Sequence, residues 1–140
     1  MSFYLDTNAI YAFFFNDFHS TRIELWLSGQ SAPIYIGDWG RIEFYALVGR
    51  RIRGGGLKND AAALGIADFE AFLSSKAQPL PLSASAGALA VNLARDPALK
   101  LSAADALHLA SAVDGGHVLV SFDARLTDAA RIRAYPFEIP

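Results

Sequence analysis

Asp6, Glu43, Asp105 and Asp123 are the side chains whose settings ask for chemistry. Asp6 closes the short apolar run Phe3-Tyr4-Leu5. A carboxylate buried there is costly unless it is paired or liganded. Glu43 stands among Ile42, Phe44, Ala46 and Leu47, one turn from Trp39 and Leu47, on a face that reads as mostly apolar. It asks for a partner on the same ground. Asp105 follows Ser102 at the spacing of a capping box, and Asp123 precedes Ala124 as a natural helix N-cap. Each of these two is accounted for, singly, by capping. As a set the four carry more. Carboxylates gathered in one pocket repel one another, and some protonate unless a cation neutralises them. Oxygen ligands without His or Cys select hard cations, Mg2+ or Mn2+. Such an ion suits phosphodiester hydrolysis, because it activates a water and screens the negative charge of the substrate.

For the set to exist, four separated segments must converge. Residues 2–5 read as a buried strand, followed by helices over about 8–16 and from Ser20 to about Ser28, with Ser20 as N-cap. Ile34-Tyr35-Ile36 is the next strand. Asp38 caps a helix over about 39–53 whose core positions read as Ile42, Ala46 and Leu47, and the glycines 54–56 end it. Asn59 caps a helix reaching about Ser75, Leu80 and Leu82 form a weak strand, and Ser83 caps a helix ending near Asp96. Ser102 caps a further helix that stops at Gly115-Gly116; His117–Val120 is a β-branched strand, Asp123 starts the last helix, and residues 137–139 form an edge strand. Short apolar strands alternating with longer helices predict a three-layer α/β/α sandwich around a mostly parallel sheet. With no internal repeat or linker, residues 1–140 read as one domain. In such sheets sites form outside the carboxyl ends of the strands. Asp6 and Asp123 fall at two such ends, while Glu43 and Asp105 fall in the first turns of helices that point at the same crevice.

Composition bounds the alternatives. The chain has 140 residues, 53% of them hydrophobic, and a mean hydropathy of +0.26. That is ample for a core and high enough to suggest apolar surface covered by a partner. There is no cysteine, which excludes disulfides and thiolate metal sites and fits a reducing cytoplasm. A net charge of -2 argues against a protein that coats nucleic acid through bulk charge. Asp6 interrupts the first apolar stretch and no positive segment precedes it, so the start does not read as a targeting signal. The run Ala9–Phe15 is too short to span a bilayer, and no membrane association is expected.

One basic concentration stands out. Arg41, Arg50, Arg51, Arg53 and Lys58 lie in a stretch whose only acid is Glu43. They read either as a phosphate track leading RNA into the acidic pocket or as a solvated helix end with cations near its C-terminus. His108, three residues after Asp105, shares a helix face with it and reads as a packing residue rather than a ligand. The glycines 54–56 are no phosphate loop, because no Lys-Ser/Thr follows at the required spacing.

Taken in order, Leu5-Asp6-Thr7-Asn8, Arg41-Ile42-Glu43, Ala104-Asp105-Ala106-Leu107-His108-Leu109-Ala110 and Val120-Ser121-Phe122-Asp123-Ala124-Arg125-Leu126 resemble the PIN domain family. The likeness is greatest to the VapC-type toxins of bacterial toxin–antitoxin pairs, and it runs from about residue 3 to residue 133. The resemblance implies a PIN-like α/β/α fold and an endoribonuclease dependent on Mg2+ or Mn2+. It also implies a homodimer and a cognate antitoxin that blocks the site. Asp6, Glu43, Asp105 and Asp123 match the acidic positions of the family, and Asn8 and Ser121 match supporting polar positions. Gly40 departs from the pattern, since many relatives carry Ser or Thr three residues before the glutamate.

Phe13, Phe14 and Phe15 would spread over about 200° of a helix, more than one face buries. With Tyr11, Phe18 and Trp26 they suggest a surface closed by another chain, and antitoxins of the resembled family dock near the first helices. The alternative is a helix sandwiched between layers. Two other functions compete with the nuclease. One is a catalytically inactive PIN-like module that binds protein or RNA. The other is a haloacid-dehalogenase-like phosphatase, which usually wants Asp-x-Asp at the first strand end where this chain has Asn8.

Overall fold

The sheet is built from β1 (Phe3–Leu5), β2 (Ile34–Gly37), β3 (Ala77–Leu80), β4 (Val118–Val120) and β5 (Phe137–Glu138), in a computed structural model that describes residues 1–140. The strand order is β3-β2-β1-β4-β5 and every pairing is parallel. The connecting helices are α1 (Thr7–Phe14), α2 (Ser20–Ser28), α3 (Asp38–Arg53), α4 (Asn59–Ser75), α5 (Ala84–Ala94), α6 (Ala103–Asp114) and α7 (Ala124–Ile132). After β1 the chain adds strands to one side, then returns to build β4 and β5 on the other. The reversal opens a crevice at the carboxyl ends of β1 and β4, where α/β sheets hold their ligands.

Alternation along β1 divides the core. Phe3 and Leu5 face a layer containing Ala9 and Ile10 of α1, Ile23 of α2, Phe44 and Val48 of α3, and Phe69 of α4. Tyr4 faces the opposite layer, with Leu93 of α5, Leu109 of α6, and Leu126 and Ala129 of α7. The expected three-layer α/β/α sandwich is therefore present. No helix is long and apolar enough to cross a membrane.

Several local expectations need correction. The third strand is Ala77–Leu80, so Leu82 lies outside it. Pro79 is tolerated there because β3 is an edge strand, where a missing N–H breaks no ladder on the free side. On α3 the inward positions are Gly40, Phe44 and Val48. Ile42 is 60% exposed, and Ala46 is exposed too. Asp38, Ser20 and Asn59 open their helices as first residues; the caps are Gly37, His19 and Lys58, none of which caps through a side chain. Ser20 instead accepts from the Asp17 amide at 2.9 Å and faces the carbonyls of Ala12 (2.7 Å) and Phe15 (2.9 Å), tying α2 to the end of α1. Ser83, Ser102 and Asp123 cap as expected.

The phenylalanine triplet packs within the chain. Phe14 meets Phe44, Phe69 and Phe72, and Phe13 meets Phe14 and Phe72. Phe15 lies beyond the helical turn in extended backbone, which frees its ring to stack on Tyr11 and Phe44. Trp26 packs edge-on to Phe3. The sandwiched-helix alternative therefore accounts for the triplet, while Phe18, 89% exposed, keeps the character of a surface awaiting cover.

Candidate active site

Asp6 follows β1 directly and caps α1: its Oδ1 accepts from the Ala9 amide at 2.8 Å. The residue is 2% exposed. Its Oδ2 accepts a short hydrogen bond from Ser121 Oγ. Burial pushes the Asp6 carboxyl up, and the negative charge of Asp123 adds to that rise. Attraction to His108 and the bonds from Ser121 and Ala9 work against it. Ser121 also accepts from the Asp123 amide at 3.0 Å, so one hydroxyl links the two acids at the ends of β1 and β4.

Glu43 reaches the same pocket from α3. Its Oε2 accepts from Thr7 Oγ1 at 2.7 Å and from His108 Nε2 at 2.6 Å. Partial burial raises the Glu43 carboxyl, but the bonds from His108 and Thr7, with the charges of His108 and Arg50, leave it below the usual range. Glu43 is half-buried, less enclosed than its apolar neighbours suggested.

Asp105 and Asp123 do perform the capping work their positions foretold. Ser102 and Asp105 form a complete capping box at the start of α6. Asp123 Oδ1 accepts from the amides of Arg125 (2.8 Å) and Leu126 (3.4 Å). Both nonetheless line one small pocket, of about 110 Å3, together with Asp6, Glu43 and Asn8. The remaining lining comes from Thr7, Leu47, Arg50, His108 and Leu126. Capping and pocket-lining are compatible because a carboxylate has two oxygens. Glu43 Oε1, Asp105 Oδ1 and Asp123 Oδ2 have no protein donor.

This donor set fits a hard cation. It is all oxygen, and like charges raise the cost of its most buried member. No three acidic or imidazole side chains form a finished cage. Mg2+ does not require one, since it keeps several waters and is commonly held by one or two carboxylates.

The basic residues divide among several cavities. Arg50 lines the acidic pocket. Arg51 lines the adjoining cavity with Asn8, Tyr11, Asp17, His19, Leu47, Phe122 and Asp123, its guanidinium over the Tyr11 ring. Arg41 turns away, 3.9 Å from Asp38 and beside Tyr45 and Glu70. Arg53 lines a further cavity with Trp39, Ile42, Glu43 and Arg50, and Lys58 is exposed just before α4.

Three residues belong to the site that sequence reasoning passed over. Tyr4, Thr7 and His108 form a buried network beneath Glu43. The signal available was the spacing of His108 from Asp105, which puts both on one face of α6. That spacing could not show that α3 presents a carboxylate to the same imidazole.

Solved structures share this fold. The chain overlays on a chain of VapBC2 from Rickettsia felis, bound to a fragment of promoter DNA, with a TM-score of 0.73 at 19% identity, covering 99% of this chain and 98% of that one. FitAcB from Neisseria gonorrhoeae gives 0.73 at 17% identity, covering 96% and 95%. The Mycobacterium tuberculosis toxin VapC20, which cleaves the sarcin-ricin loop, gives 0.73 at 19% identity, covering 91% and 94%. Identities this low speak for the fold alone. No curated protein sequence matches. The profile of the PIN domain does match, over residues 3–132. With the acids of that resemblance gathered at the switch point of the sheet, the chain belongs to the PIN domain family.

Proposed function

We propose that this protein is an Mg2+- or Mn2+-dependent endoribonuclease and the toxin of a toxin–antitoxin pair. The observation that carries the reading is the single pocket lined by Asp6, Glu43, Asp105 and Asp123, with three carboxylate oxygens free of protein donors. Asp6 and Asp123 would hold the cation, with Glu43 and Asp105 completing the donor set through oxygens or retained water. When bound, the cation supplies charge screening of the phosphodiester and activation of a water.

The chain's own groups do the rest. Ser121 fixes Asp6 and Asp123 relative to one another by bonding to both. Thr7 and His108 keep Glu43 ionised and oriented. Arg50, on the pocket wall, attracts a phosphate to an otherwise acidic site, and Arg51 extends that attraction into the next cavity. Asn8 is exposed at the rim, placed to hydrogen-bond substrate.

The toxin assignment draws support from the VapBC and FitAB neighbours, whose complexes pair a PIN-fold chain with a partner. A cognate antitoxin that covers the acidic pocket, and a homodimer, follow from the same reading. Calorimetry with Mn2+ tests it. Wild type is expected to bind Mn2+ at a single site, and Asp123→Asn to bind it far more weakly. Failure of wild type to take up Mn2+ would leave a non-catalytic PIN scaffold as the better description.

A further inference from the structure

His108 joins four elements at one imidazole. It stands on α6 and is 3% exposed. Its Nε2 lies 2.6 Å from Glu43 Oε2 on α3 and 3.0 Å from Thr7 Oγ1 on α1. Its Nδ1 lies 2.9 Å from Tyr4 Oη on β1. Thr7 closes the circuit by donating to the same Glu43 oxygen.

The chemistry of the carboxylate fixes the direction of the bond to Glu43. An ionised carboxylate only accepts, so the nitrogen facing Glu43 must carry a proton. The Tyr4 phenol is buried, and burial first, then the charge of Asp6, holds it protonated; it stands within hydrogen-bond distance of Nδ1. Both donors on Glu43 converge on Oε2, which leaves Oε1 as the oxygen free to serve the pocket.

The start of α3 is shaped around this network. A Cβ on Gly37 would stand 2.7 Å from Tyr4 Oη, closer than side chains tolerate, so any other residue there would displace the phenol. A Cβ on Gly40 would lie in van der Waals contact with His108 Cε1, at 3.5 Å. Two glycines on one short segment thus stand against two buried polar side chains, the Tyr4 phenol and the His108 ring.

We propose that His108 is a positioning residue, whose Nε2–H, backed by Tyr4 and Thr7, holds Glu43 Oε2 so that Oε1 faces the acidic pocket. The consequence for cation binding rests on the function proposed above; the bond itself does not. A packing role predicts something different, namely that an apolar side chain of similar size serves equally well.

Nitrogen NMR of the metal-free protein reads the bond directly. Long-range 1H–15N spectra are expected to show His108 protonated at Nε2, with a slowly exchanging proton that shifts in Glu43→Gln. A bare Nε2 with the proton on Nδ1 overturns the proposal. Calorimetry with Mn2+ and RNA turnover then compare His108→Leu, His108→Gln and the double variant Tyr4→Phe/His108→Leu, which removes the phenol that the first change would orphan. Both leucine variants are expected to bind Mn2+ about 10-fold more weakly and to lose kcat by a similar factor, with KM for RNA unchanged. His108→Gln, whose amide N–H reaches towards Glu43, recovers most of the affinity. A folded double variant with wild-type Mn2+ affinity refutes the positioning role. Should wild type itself take up no Mn2+, the proposed function fails by itself, and the nitrogen spectra still decide the place of His108.

Discussion

Asp6 is the residue whose burial the fold tolerates at greatest cost. Its folded pKa lies above its unfolded value, because burial outweighs the bonds from Ser121 and Ala9. Between those two values the native state binds more protons than the unfolded chain, so stability falls as pH rises through that window. Below the unfolded value the carboxyl is neutral in both states and the penalty vanishes. Asp6→Asn, which can still accept from Ala9 and reach Ser121, is therefore expected to stabilise the metal-free protein at pH 7–8. The gain should fade towards pH 4, and Mg2+ should raise the Tm of wild type but not of the variant. Thermal melts across pH with and without Mg2+ check this; a variant less stable than wild type at neutral pH contradicts it.

The other acids divide structure from chemistry. Ser102→Ala removes half of a capping box and is expected to cost about 1 kcal/mol while sparing RNA turnover. Asp105→Asn keeps an acceptor for the Ser102 amide but weakens the donor set, so turnover should fall well before stability does. Denaturant titration and initial rates on both variants separate the two roles. Equal activity in Asp105→Asn and wild type would return Asp105 to capping alone. Asp6 was legible from the sequence because an acid at the end of an apolar strand has an unavoidable cost. His108 was not, because its meaning depends on a carboxylate sixty-five positions away.

At the scale of elements, α3 carries the clearest lesson. Its apolar residues fit two helical phases, and the sequence favoured the face with Ile42 and Ala46, whereas the fold buries Gly40, Phe44 and Val48. The deciding factor is tertiary: the Phe44 ring lies 4.0 Å, centroid to centroid, from Phe69 on α4. Phe44→Ala should cost roughly 3–5 kcal/mol, and Ile42→Ser no more than about 0.5 kcal/mol. Comparable losses from the two in urea melts would mean that the helix is rotated from its described phase. The same helix sorts the arginines, since Arg50 lines the acidic pocket itself and Arg51 the cavity that shares Asn8, Leu47 and Asp123 with it. Alanine at both is expected to reduce RNA affinity and to flatten its logarithmic salt dependence by roughly 1–2. Alanine at Arg41 and Lys58 together should leave the slope unchanged. The reverse pattern would move the RNA path off this face.

For the whole molecule, the order of strands explains why distant acids meet. Alternating strands and helices made the layered architecture readable, and the strand ends marked Asp6 and Asp123. The strand order was less accessible, because short apolar strands carry no label for their neighbours. The order places β1 and β4 side by side, so that Ser121 can bond to Asp6 and Asp123 together. The apolar excess of the sequence was read as surface awaiting a partner, yet the aromatic triplet is consumed within the chain by packing between α1, α3 and α4.

The central claim is that these carboxylates act as one cation-dependent site on RNA. Its most direct measurement is the initial rate of cleavage of an end-labelled structured RNA against Mn2+ concentration, for wild type and Asp6→Asn, with EDTA as control. The account predicts a wild-type rate that rises with Mn2+ to a plateau, vanishes in EDTA, and is lost at every Mn2+ concentration in Asp6→Asn. Cleavage that persists in EDTA and survives Asp6→Asn would contradict it.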